Sequence, residues 1–234
     1  MALAKTTRPT LATTLARPRL FRLLDHARRR PVTWVWGPPG AGKTTLVASY
    51  LRARKVRSLW YQLDEGDDDV ATFFYYLGLA APRRRRPLPL LTSPFRPGLS
   101  IFARHYFREL YSRLPARFTV VFDNYQDVPA DSRLHDVLAE ALAEIPAGGR
   151  LVFISRGEPP AGFARQRAHG KVDVLDAPQL RFNPAEAGDL IRRLAPGPWS
   201  RETLRSLHES VDGWGVASCS TSSRRTAAPR ARPP

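Results

Sequence analysis

One stretch of the 234-residue chain gathers the residue types that handle phosphate: Trp34-Val35-Trp36-Gly37-Pro38-Pro39-Gly40-Ala41-Gly42-Lys43-Thr44-Thr45-Leu46-Val47. It matches G-x-x-x-x-G-K-[ST], placed between an apolar run and the opening of a helical pattern. Pro38 and Pro39 have no amide hydrogen to donate. The cradle therefore falls to the amides around Gly40 to Thr45, where small residues let the backbone approach an anion. A helix starting near Lys43 points its positive end at the same place. Lys43 is the point charge for β- and γ-phosphate oxygens, and the Thr44 hydroxyl is a magnesium ligand. The pattern predicts a site for ATP or ADP with Mg2+, bound by Gly37, Pro38, Pro39, Gly40, Ala41, Gly42, Lys43, Thr44 and Thr45. The plainer reading is a Gly-Pro turn before an amphipathic helix, which would not account for the acidic strand end downstream.

That strand end is Phe118-Thr119-Val120-Val121-Phe122-Asp123, about 80 residues beyond Lys43. Ligands of open α/β sheets bind at the carboxyl ends of strands, so Asp123 is the expected second magnesium residue, acting through the ion's water shell. Many ATPases with this arrangement place a second carboxylate next, to polarise the attacking water. Here the position is Asn124. An amide orients water without taking its proton, so hydrolysis is expected to be slow unless Asp127 or another acid substitutes. A further apolar run, Leu151 to Ser155, delivers Arg156 to the same rim. Arg156 is either a γ-phosphate sensor acting by a charge-assisted hydrogen bond or a surface arginine after a strand. Lys43, Asp123, Asn124 and Arg156 are thus the candidate catalytic residues, with Thr44 and Asp123 as metal residues. The cluster Asp64, Glu65, Asp67, Asp68 and Asp69 precedes a helical stretch; capping is its main expected role, with one member in the metal site as the alternative.

These residues need a scaffold, and the apolar periodicity supplies one. Runs at Val32–Trp36, Ser58–Leu63, Phe118–Phe122, Leu151–Ser155 and Val172–Leu175 read as strands. Stretches at about 43–54, 69–80, 99–114 and 132–145 carry apolar residues three or four apart and read as helices. Alternation of this kind predicts a five-stranded, mainly parallel sheet flanked by helices, built from right-handed βαβ units. Residues 82–98, with five prolines and the run Arg83–Arg86, read as a solvated insertion, with an anion-binding arm as the alternative. Helical stretches at about 183–194 and 200–211 would begin a helical subdomain. The expected organisation is a flexible N-terminus (1–16), a P-loop nucleotide-binding domain (17–178), a helical extension (179–215) and a disordered tail (216–234). The tail, built of Ser, Thr, Arg, Ala, Pro and one Cys from Ser218 onward, cannot bury enough apolar area to offset its ordering entropy.

Composition narrows the function classes. The net charge of +16 suggests a polyanionic partner, yet 33 Arg against 4 Lys and 22 Pro also fit a coding-composition bias. Cys219 is the single cysteine, which excludes a disulfide framework or cysteine metal cluster. No signal-peptide run and no stretch near 18 apolar residues occurs, so a cytoplasmic protein without membrane association is expected.

In order and spacing, six blocks resemble the signal-transduction ATPases with numerous domains, in particular bacterial transcriptional activators of the maltose-regulon type with LuxR-like C-termini. They are Arg17-Pro18-Arg19-Leu20, the P-loop, Trp60 to Asp69, Val121 to Gln126, Ile154 to Pro160 and Leu180 to Ala187. The resemblance spans about residues 17–214. It implies an ATP/ADP switch, closed around ADP at rest, that exchanges nucleotide and self-associates on induction. It makes Arg156 the sensor arginine, places 17–20 near the adenine, and marks Asn124 as a departure from an acidic pair. Such proteins continue into a helical-repeat sensor and a DNA-binding helix-turn-helix. The expected product is therefore a switch fragment without a DNA-binding module, truncated or frame-shifted near Gly215, or else a naturally short protein. A small-molecule phosphotransferase and a basic nucleic-acid-binding protein are the alternative functions.

Overall fold

The computed structural model describes residues 4–11, 14–82, 84–91, 98–194, 197, 199–200 and 202–203. The expectations for Arg83, for most of 195–215, for Cys219 and for the tail lie outside these residues.

Five strands form one sheet: β1 (Val32–Trp36), β2 (Ser58–Gln62), β3 (Phe118–Asp123), β4 (Gly149–Ser155) and β5 (Val172–Leu175). Their order is β2-β3-β4-β1-β5 and every pairing is parallel. The strands were legible because a parallel sheet covered on both faces leaves near-continuous apolar runs. Successive residues feed opposite layers. Trp34, Phe122 and Phe153 point into one core with helices α3 (Val70–Ala80), α4 (Leu99–Arg113) and α5 (Leu134–Ala143). Val35, Val121, Val152 and Ile154 point into the other, with α1 (Pro18–Ala27) and α2 (Lys43–Ala53). Shorter helices α6 (Ala164–Ala168) and α7 (Ala177–Leu180) flank β5, and α8 (Pro184–Leu194) follows. No helix among the described residues is long and apolar enough to cross a membrane.

Two differences from the sequence reading have simple causes. Helix α1 is an element beyond those the periodicity predicts, with Pro18 at its first turn and Leu20, Phe21, Leu24 and Ala27 on one buried face; four arginines and a histidine within residues 17–28 mask that short apolar face. Helix α5 spans Leu134–Ala143 rather than 132–145, because the Ser132 hydroxyl accepts the Leu134 amide at 3.2 Å and holds the entry as a turn. Within the insertion, Arg84, Arg85 and Arg86 are exposed, whereas Leu88 is buried against the α3–α4 core.

The acidic cluster is used locally. Asp64 and Asp67 form a capping box on the 3-10 turn Glu65–Asp68, and Asp69 caps α3 through the amides of Ala71 and Thr72. Asp67 is fully buried, accepting the Tyr61 hydroxyl at 2.7 Å and pairing with Lys5 at 3.0 Å. Lys5 also pairs with Asp64 at 2.7 Å, a contact that the sequence did not reveal. No cluster suited to a metal ion by side chains alone occurs among the described residues.

Candidate functional site

The loop between β1 and α2 turns twice through the left-handed region, at Gly40 (φ 78°) and Gly42 (φ 76°). Side chains are strained there, which is why small glycine occupies both positions. Gly42 is the N-cap of α2 and brings no side-chain cap. The first amides of a helix have no partner within it, so those of α2 are left to face an anion. Gly37 has a different task. A Cβ there would lie 3.2 Å from Leu180 Cδ1 and 3.5 Å from the Ala177 backbone; the first glycine of the loop is what lets α7 pack directly on it.

Thr44, on the first turn of α2, donates its hydroxyl to Asp123 Oδ1 at 3.0 Å. Residues 79 apart in sequence are thereby joined at the carboxyl edge of the sheet. The Lys43 ammonium donates to the carbonyls of Gly37 (2.7 Å) and Pro38 (2.9 Å). Around them runs a cleft of about 300 Å³ lined by Pro39, Gly40, Gly42 to Thr45, Asp123, Asn124, Gln126, Ile154 and Arg156. The sequence-derived residues Lys43, Thr44, Asp123, Asn124 and Arg156 therefore share one cleft. Asp127 is not among its lining residues; it sits in the 3-10 turn Tyr125–Asp127, and its carboxylate accepts the Gln126 amide at 3.1 Å.

The charges of this cleft are poorly solvated in opposite senses. Burial lowers the Lys43 pKa, Arg156 lowers it further, and Asp123 only partly opposes them. Burial raises the Asp123 pKa, against the Thr44 hydroxyl, the Asn124 amide and Lys43. A site whose cation and carboxylate are both held away from their charged forms fits a ligand of mixed charge, phosphate with a divalent metal. The hard oxygen donors of Thr44 and Asp123 suit magnesium. Because the folded-state Asp123 pKa is raised, its contribution to stability is present below the ordinary aspartate range and lost as pH rises through the folded value. Asp123→Asn is accordingly expected to raise the melting temperature at neutral pH without magnesium. Scanning calorimetry in the presence of a chelator checks this; a lower melting temperature would contradict it.

Two positions gain meaning from the backbone. Asn124 has φ 62°, one of two non-glycine residues at positive φ among the described residues. Asparagine tolerates this region better than glutamate or other longer side chains, so residue 124 is constrained by conformation as well as chemistry. Gln126, which sequence reading did not single out, accepts the Arg156 amide through Oε1 at 3.1 Å and ties the end of β4 to the turn after β3. Beneath them Trp34 stacks on Phe153 (5.2 Å between centroids), Phe153 stacks on Phe122 (5.3 Å), and the Trp34 indole donates to the Gly157 carbonyl at 3.0 Å. Aromatic residues in β1, β3 and β4 were the available signal for this floor.

Beside the loop, Arg17 is buried and donates to the carbonyls of Leu180 (2.9 Å) and Arg181 (2.7 Å) and to Glu186 (2.9 Å). Its guanidinium lies 3.9 Å over the Phe182 ring. The stretch that the resemblance placed near the adenine thus fastens α1 to α7 and to the α7–α8 connection, and α7 itself packs on Gly37.

In sequence, the chain is 28% identical over 221 residues to the HTH-type transcriptional regulator MalT of Vibrio cholerae, an alignment covering 92% of this chain. The chain is a homologue of that regulator. It spans 24% of the regulator's length. No protein-family model matches the chain. In fold, it superimposes on the signal-transduction ATPase with numerous domains carrying a tetratricopeptide repeat sensor, from Pyrococcus horikoshii, with a TM-score of 0.57 at 15% identity, over 89% of this chain and 30% of that one. The ORC1 protein of Aeropyrum pernix gives a TM-score of 0.51 at 16% identity, over 89% of this chain and 59% of that one. These likenesses concern the fold alone, and the five-stranded parallel sheet flanked by helices is the architecture expected from sequence.

Proposed function

We propose that residues 17–178 form an adenine-nucleotide switch of a transcriptional regulator, holding ATP or ADP with magnesium and turning nucleotide over slowly. The observation that carries this reading is the Thr44–Asp123 hydrogen bond at the mouth of the Gly37–Gly42 loop. It brings a hydroxyl and a carboxylate together where magnesium would be held, beside the ammonium of Lys43. The metal, when bound, neutralises phosphate charge. The chain's own residues do the rest: the amides of Gly40 to Thr45 receive phosphate oxygens, Lys43 provides charge, and Arg156 faces the same cleft as a γ-phosphate sensor. Homology to a transcriptional regulator supports a regulatory role over a metabolic one. DNA binding and self-association, as properties of a whole regulator, belong to the same proposal.

The test is calorimetric titration with ATP and ADP in magnesium, with phosphate release followed in parallel. Micromolar binding with turnover far slower than dissociation of product is expected. Asn124 supports the second part, since it orients water but takes no proton. Asn124→Asp keeps a residue tolerant of positive φ and adds a base; phosphate release is expected to rise about 10- to 100-fold. Rapid turnover by the unaltered chain would contradict the switch reading, and efficient transfer of phosphate to a metabolite would favour a phosphotransferase.

A further inference from the structure

Because all five strands are parallel, one pole of the sheet collects every strand's amino end, opposite the P-loop. A cation stands at each of those ends. In sheet order they are Arg57, Arg117, Arg150, Arg30 and Lys171, a row extending about 20 Å at the usual strand spacing. Arg150 is aligned with Thr119, two residues after Arg117, so both arginines belong to the face covered by α1 and α2. There Arg117 and Arg150 meet Arg28 and Arg29, from the end of α1, around a cavity of about 450 Å³ that also touches Asp25 and Val56.

Asp25 is the one carboxylate lining this cavity, and it is already engaged: it accepts the Tyr50 hydroxyl at 2.8 Å and pairs with Arg54. Arg29 and Arg117 are exposed and have no carboxylate partner among the described residues. Arg150 is half-buried and donates to the Arg30 carbonyl at 3.3 Å, and its charged form is disfavoured by burial and then by the nearby Arg28 and Arg117. The ends of α1 and α2 turn their carbonyls toward this pole, but about half a charge each does not offset four guanidinium groups. Mutually repelling cations gathered in a concavity of ligand size await an anion, and guanidinium groups bind phosphate in a bidentate manner.

We propose that this cavity, lined by Arg28, Arg29, Arg117 and Arg150, is a second anion site, for a small ligand carrying two or more phosphate groups. It is independent of the P-loop reading. Concavity favours a compact ligand over a nucleic-acid backbone, which would follow an open track. The site gives the chain a sensor for phosphorylated compounds on the pole away from the nucleotide.

The test uses inorganic tripolyphosphate as probe, titrated without magnesium into the full chain carrying Lys43→Ala, so that the P-loop contributes little. A saturable site is expected, weakening as salt is raised. Adding Arg29→Gln and Arg117→Gln, both at exposed positions, is expected to weaken it tenfold or more. An unchanged circular-dichroism spectrum and melting temperature in that variant would establish that the fold is intact. No saturable binding, or equal affinity after the two substitutions, would overturn the proposal. So would a single-stranded oligonucleotide that binds more tightly than tripolyphosphate and is lost in the same variant, since the pole would then be a nucleic-acid track. Failure of ATP binding at Lys43 leaves this outcome untouched, so the two readings fail separately.

Discussion

Lys43→Ala is expected to weaken ATP and ADP binding about a hundredfold or more, a loss near 2.7 kcal/mol, with little change in folding stability. The expectation follows from where the ammonium sits. It donates to the carbonyls of Gly37 and Pro38 within the loop, in a cleft where burial and Arg156 depress its pKa. A phosphate group would replace those neutral acceptors with charged ones, and hydrogen bonds to charged partners contribute about 1.5–3 kcal/mol each. Alanine removes the charge and leaves Arg156 as the remaining side-chain cation of the cleft. Titration calorimetry measures the loss directly, and unfolding in urea measures the stability. Retained affinity would mean that the nucleotide lies elsewhere.

Arg17→Ala is expected to give the largest loss of stability among single substitutions near the site, about 3 kcal/mol, at the low end for breaking a buried pair. Glu186 would keep Arg19 at 3.3 Å, which moderates the loss, but the carbonyls of Leu180 and Arg181 would lose their buried donor. For a chain of this size the melting temperature should fall by roughly 6–12 °C. Arg17→Lys should recover only a fraction, because an ammonium cannot reproduce a planar fork that reaches two carbonyls and a carboxylate. Burial works against the Glu186 charge, yet the Arg17 hydrogen bond and charge outweigh it and hold the pKa below the usual glutamate value. The contribution of this pair is therefore present at neutral pH and lost as pH falls through the lowered value. Since α7 packs on Gly37, loosening α7 should also weaken nucleotide binding severalfold; a variant that loses stability with unchanged affinity would show that the Arg17–Glu186 pair and the phosphate loop are uncoupled.

The phosphate loop and the strands could be read from sequence for the same physical reason: both depend on short-range residue patterns. Glycines at 40 and 42 record a backbone that must turn left-handed, and the apolar runs record strands covered on both faces. The Thr44–Asp123 contact could be anticipated because a parallel sheet brings the ends of its strands to one edge. What escaped were pairs whose partners lie far apart without a shared pattern. Arg17 meets Glu186 across 169 residues, and nothing in an arginine-rich sequence distinguishes that arginine from the others. Gln126 looks like an ordinary turn residue until its carbonyl is seen to accept the Arg156 amide. Asn124 was legible only as a missing acid; its positive φ shows a second constraint on the same position. The polar row at the amino ends of the strands was likewise hidden, because it is assembled by sheet order and not by chain order.

In the proposed nucleotide switch, Thr44 and Asp123 complete a magnesium-assisted phosphate site with the loop preceding α2. The decisive quantity is the dissociation constant for ADP, taken with and without magnesium, for the unaltered chain and for Asp123→Asn. Magnesium is expected to tighten ADP binding by about tenfold or more, 1.4 kcal/mol or beyond, in the unaltered chain and to have little effect in the variant. No binding in either condition, or an equal magnesium effect after Asp123→Asn, would contradict the assignment.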